Sequence, residues 1–191
     1  LKLGKVNIAV CYFETAIKLD PSYAQAFNNL ANALLSNRDY EQAKQYLLTA
    51  IELKPDYVEA LCNLSGVYQQ LEDYDLSIKY AEKALEIEPK NYSAMNNLGL
   101  ALQAQGSFER AEFIWKSLIA KKPSDLEALN NYGLLFKNLG DHKQALCIFK
   151  KILDAKPLFF SALHNAANGE KELGNSREAM NLFDTAIDNG C

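Results

Sequence analysis

The chain has 191 residues, 49% of them hydrophobic and 23% charged, which is a globular composition and not that of a disordered segment. Its formal net charge of −4 argues against nucleic acid or an anionic membrane as the main partner, since both call for a concentrated basic surface. No apolar run approaches the roughly 18 residues of a membrane span and no signal-peptide pattern opens the sequence, so direct membrane insertion is not expected.

In chain order, the first expected element is a helix over 1–20, the second helix of a partial repeat. It opens at Leu1 in mid-repeat, which reads as the cut end of a longer protein. Pro21 closes it and is the first of five prolines, with Pro55, Pro89, Pro123 and Pro157, spaced 34 residues apart. Proline is tolerated at a helix start or just past an end and disrupts an interior, so a boundary recurs with that period. The stretch 24–57 then predicts a helical hairpin. Phe27, Leu30, Ala31 and Leu34 share one helix face, and Ala43, Leu47, Ala50 and Ile51 share one on the next. The segments 58–91, 92–125 and 126–159 repeat this pattern. The last, 160–191, is a terminal, partly degenerate repeat, with Ala166 and Glu170 where earlier repeats carry Leu64 and Tyr68 or Leu98 and Leu102. A weakened apolar face is expected as an array nears its end. The reading is a single all-α array of about 11 helices over 1–191.

Columns in the same phase support the hairpins. Small residues recur at Ala9, Ala43, Ser77, Ala111, Ala145 and Ala179, and at Ala31, Ser65, Gly99, Gly133 and Ala167, as close helix approach requires. Leu118 and Ile152 replace the alanine of Ala16, Ala50, Ala84 and Ala186, so splaying or repacking is expected there. Gly4, Gly106, Gly140 and Gly174 suit a left-handed helix C-cap. Arg38 and Glu72 take that place in two turns, which should be tighter or strained. Asp39, Asp73, Ser107, Asp141 and Asn175 follow as N-caps of the second helices, with Gln42, Gln144 and Glu178 as capping-box partners.

Period, prolines, small residues and aromatic columns together resemble the tetratricopeptide repeat family, and the resemblance covers the whole chain. It implies a right-handed solenoid of antiparallel hairpins, with first helices lining a concave groove. It also implies a protein or peptide partner. The sharpest functional feature is an unbroken column of Asn29, Asn63, Asn97, Asn131 and Asn165 at the edge of the first helices. A primary amide carries donors and an acceptor together, which suits capture of a peptide backbone. At about 1 kcal/mol net per hydrogen bond, such a ladder matters collectively. Asn28, Asn32, Asn96, Asn130 and Asn168 flank it and complete the candidate peptide-binding set. The rival reading is structural, in which each asparagine ties one first helix to the next.

The presumed groove is mostly neutral and polar. In a family variant that holds acidic C-terminal tails, a lysine of a carboxylate clamp belongs where this chain has Asn28, Cys62, Asn96, Asn130 and His164; the clamp is absent. The ladder instead resembles that of the tetratricopeptide superhelix of O-linked N-acetylglucosamine transferase, with no likeness to its catalytic domain. Cys11, Cys62, Cys147 and Cys191 are scattered, with only His142 and His164 as histidines, so no metal site, no cofactor and no redox motif is expected. Scattered cysteines fit a reducing compartment, so an intracellular, cytoplasmic location is expected. Cys62 is expected to be accessible in the groove, Trp115 to be core, and His164 to be a solvated polar residue. The function read from the sequence is a non-enzymatic interaction scaffold that binds an extended, largely uncharged peptide. Two alternatives stay open: the substrate-recognition region of a larger enzyme such as a glycosyltransferase, and self-assembly into a homo-oligomer through exposed solenoid ends.

Overall fold

The structure, a computed structural model, describes residues 2–189; Cys191 lies outside them. Among the described residues every regular element is an α-helix: α1 (Lys2–Leu19), α2 (Ala24–Ser36), α3 (Tyr40–Leu53), α4 (Val58–Gln70), α5 (Tyr74–Ile87), α6 (Tyr92–Ala104), α7 (Phe108–Lys121), α8 (Leu126–Asn138), α9 (His142–Ala155), α10 (Phe160–Glu172) and α11 (Ser176–Asp188). The chain divides into two compact units, before and after the Gln105–Gly106 bond.

The first unit stacks α1 to α6. Its core draws the expected columns together: Leu30, Ala31, Leu47, Leu61 and Leu64 are at most 1% exposed. Burying a leucine contributes about 1.5–3 kcal/mol, against about 1 kcal/mol for a helix cap, so packing and not capping holds the hairpins. The polar members of the small columns are satisfied where they are buried. Ser65 donates its hydroxyl to the Ser77 carbonyl at 2.9 Å. The second unit holds α7 to α11. Trp115, expected to be core, is fully buried there, and so is Phe149. Ile152 and Ala166, two departures from the repeat, sit in one buried cluster. In the first unit the equivalent pair is Ala50 and Leu64, also in one cluster. The large and small partners have exchanged places, so the departure is accommodated by repacking.

The turns follow the expected chemistry with informative exceptions. Gly106, Gly140 and Gly174 adopt φ of 85°, 75° and 83°. Arg38 and Glu72 adopt φ of 61° and 60° in the same place. This left-handed region costs a residue with a Cβ about 1 kcal/mol, so the strain expected of these two turns is present. Arg38→Gly and Glu72→Gly are each expected to stabilise the chain by about 0.5–1 kcal/mol, read as a higher urea midpoint at unchanged slope. Gly4 does not cap a helix: α1 starts at Lys2 and runs through it. Asp39, Asp73 and Asp141 each accept the N–H three residues on. Ser107 and Asn175 make no such side-chain bond, so the capping box expected at Glu178 is not formed. Asn175 turns its amide to Glu170 at 2.7 Å instead, choosing a charged acceptor over its own helix. Asn91 and Asp125 cap α6 and α8, two caps that the turn pattern did not single out.

Candidate functional site

The site is built on the first helices of the first unit, α2, α4 and α6. Helical spacing brings Asn28 and Asn32 onto one edge of α2, facing Asn63 of α4. Asn63 donates both amide hydrogens, to Asn28 Oδ1 and Asn32 Oδ1, each at 2.9 Å. Two acceptors for two donors use both amide hydrogens and leave Oδ1 of Asn63 with no hydrogen-bond donor to it among the described residues. Asn28 is 0% exposed and passes the chain of bonds on, donating to Glu59 Oε1 at 3.0 Å. It therefore belongs to the scaffold of the ladder and not to its surface.

One repeat further on, the same contact is made differently. The residues equivalent to Asn28 and Asn32 are Cys62 and Gly66, and neither offers a side-chain carbonyl. Asn97 of α6 reaches the main-chain carbonyl of Cys62 at 2.8 Å. Its second N–H and its Oδ1 have no partner among the described residues. Asn63 and Asn97 border a recess of about 410 Å³ with Leu35, Tyr40 and Val67 as apolar lining and Cys62, Gly66, Gln70 and Ser93 completing it. None of these side chains carries a charge. Cys62 is not the accessible thiol expected from its place in the sequence. It is 7% exposed, and its Sγ lies 3.6 Å from Asn91 Oδ1. Burial first, then the Glu88 and Glu59 carboxylates, push its thiol up to about 11, so it stays neutral.

In the second unit Asn165 donates to Asn130 Oδ1 at 3.2 Å, and both are buried. This is the Asn63–Asn28 contact repeated. The remaining members of the expected set, Asn29, Asn32, Asn96, Asn131 and Asn168, are half-buried. His164 is exposed and its ring meets Phe183 edge-on at 5.9 Å between centroids. Gly66 was missed at the level of sequence. The signal was there: it is the one glycine in a column whose other members are Asn32, Leu100, Leu134 and Asn168, and it lies inside a helix, where glycine has no turn to serve. Among the described residues no cluster of His, Cys, Asp or Glu could hold a metal ion, and no helix is long and apolar enough to cross a membrane.

Three tetratricopeptide repeat models match residues 22–90, 80–113 and 97–158 in succession. The chain belongs to the tetratricopeptide repeat family, whose members are in general non-catalytic interaction scaffolds with an all-α solenoid fold. No curated protein sequence matches it significantly. Among solved structures it is similar to YrrB, described as a TPR protein with an unusual peptide-binding site, at 27% identity and a TM-score of 0.67, covering 92% of this chain and 91% of that one. It is also similar to PilW, a type IV pilus biogenesis factor, at 26% identity and a TM-score of 0.85, over 93% of this chain and 82% of the other. A tetratricopeptide repeat protein from Parabacteroides merdae shares the fold at 20% identity and a TM-score of 0.83, over 99% of this chain and 74% of the other.

Proposed function

We propose that this chain binds an extended, largely uncharged peptide on the first helices, with Asn63 and Asn97 gripping its backbone. The observation that carries the reading is the uncharged recess beside two amides that keep hydrogen-bonding capacity after serving the fold. Asn63 offers an acceptor, and Asn97 offers a donor and an acceptor, which is what a peptide's alternating N–H and C=O require. The peptide-binding description of YrrB, a relative spanning nearly the whole chain, points the same way. Asn29, Asn32, Asn96, Asn131 and Asn168 are further contacts in this proposal. Asn28, Asn130 and Asn165 act by holding the ladder in place.

The two amides predict different outcomes. Asn97→Ala removes one bond to a carbonyl already in a helix, so stability should fall by no more than about 1 kcal/mol. Binding of peptides selected from a randomised phage-displayed library should weaken about fivefold. Asn63→Ala strands the buried Oδ1 of Asn28 and should cost about 1–3 kcal/mol of stability. Calorimetric titration with the selected peptides, paired with urea melts, separates the two. Unchanged binding by a folded Asn97→Ala chain would make the ladder purely structural.

A further inference from the structure

Gly66 does nothing for the fold that another residue would not do better. It sits inside α4, has no positive φ, and lowers helix stability relative to alanine. Nor is it there for close packing. A Cβ built on it would meet only Asn97 Nδ2, at an ordinary 3.8 Å. The contrast with Gly133 is direct, since a Cβ there would fall 2.5 Å from the Phe149 ring. Leucine occupies the equivalent place in two later repeats, at Leu100 and Leu134, so a large side chain is compatible with this position of the hairpin. The missing side chain has two local consequences. It leaves the recess open, and it withdraws the acceptor that Asn32 supplies to Asn63, so that Asn97 keeps an N–H to spare.

We infer that Gly66 is a specificity-determining residue: it opens a pocket that takes one large apolar side chain of the bound peptide, while the adjacent Asn97 amide holds that residue's backbone. The inference rests on the peptide-binding reading and names the feature of the peptide that is recognised. Leu35, Tyr40 and Val67 give the pocket its apolar lining. Its volume of about 410 Å³ is more than a leucine, methionine or phenylalanine side chain needs, so each of them has room to enter. An acidic residue is disfavoured there. No lining group carries positive charge, and the Glu59 and Glu88 carboxylates lie near enough to act on the Cys62 thiol.

The test selects a phage-displayed randomised peptide library in parallel against the full wild-type chain and against Gly66→Leu. Enriched peptides are then synthesised with acetyl and amide caps and titrated. The wild-type pool should carry one large apolar residue at a fixed place in an uncharged context. Gly66→Leu should still enrich peptides, but with glycine, alanine or serine at that place, and it should bind the wild-type peptides at least about tenfold more weakly. Gly66→Ser, a smaller intrusion that is safe for the fold, should give an intermediate loss. Gly66→Ala should raise Tm by about 2–4 °C. If Gly66→Leu binds the wild-type peptides equally well, or the wild-type pool shows no apolar preference, the pocket assignment is overturned while peptide binding stands. If the wild-type chain enriches nothing, the peptide-binding reading itself falls and takes the pocket with it.

Discussion

Gly133→Ala is expected to destabilise the chain by about 1–3 kcal/mol, although alanine is the better helix former by up to about 1 kcal/mol. The new methyl group would lie 2.5 Å from Cε1 and 2.8 Å from Cζ of Phe149. Phe149 is 0% exposed and packed against Ile152 and Ala145, so its ring has nowhere to go. The first full hairpin shows the remedy. There the equivalent positions hold Ala31 and Leu47, both buried completely. Phe149→Leu should cost about 1–2 kcal/mol alone by leaving a cavity. The double variant Gly133→Ala with Phe149→Leu recreates the Ala31–Leu47 pairing and should be more stable than the sum of the two losses by at least about 1 kcal/mol. Urea melts of the four chains close the cycle. Additivity within about 0.5 kcal/mol would show that the ring relaxes freely and that the small-residue column is not a steric requirement.

That pairing shows which parts of the structure were legible in advance. Small residues in step with large ones announced the hairpin contacts, and prolines in step announced the helix ends. Both depend on backbone geometry and volume, which a single sequence displays directly. The aspartate caps and the strain at Arg38 and Glu72 were legible for the same reason, being decided within a few residues. What was not legible depends on the direction of individual hydrogen bonds across repeats. The sequence offered five equivalent asparagines. The structure gives Asn63 two side-chain acceptors and Asn97 a main-chain one, because Asn32 is followed 34 residues later by Gly66. Cys62 looked accessible from its place one residue before the ladder. In the folded chain it is buried, beside the side chain of Asn91. Asn175 looked like a cap until Glu170 competed for its amide.

Glu170 leads to the second large effect. It occupies the column of Leu34, Tyr68, Leu102 and Phe136, all buried and apolar, and it is itself only 3% exposed. Burying a carboxylate there is tolerable because Lys150 Nζ reaches Oε1 at 2.8 Å and Asn175 Nδ2 reaches Oε2 at 2.7 Å. The lysine bond, above all, holds the carboxyl below its ordinary value against the opposing effect of burial. Glu170→Gln keeps the shape but cannot accept from both donors, and should cost about 1–2 kcal/mol at neutral pH; the lower figure is favoured because Lys150 is itself 58% exposed and screened by solvent. The sign with pH follows from the lowered value. The carboxylate's contribution is complete above the unfolded pKa of about 4.3 and is lost as pH falls through the lower folded value. The wild-type and Glu170→Gln chains should therefore differ at pH 7 and converge as pH falls below the ordinary carboxylate range and through the lowered folded value, as seen in urea midpoints across pH. Glu170→Leu restores the apolar column and, as for other buried pairs replaced by hydrophobic side chains, should be neutral or stabilising with a flatter acid limb. A constant gap between wild type and Glu170→Gln down to the lowest pH would mean that the difference does not come from the ionisation of the carboxyl group. In that case the hairpin of α10 and α11 would owe nothing to the charge it buries.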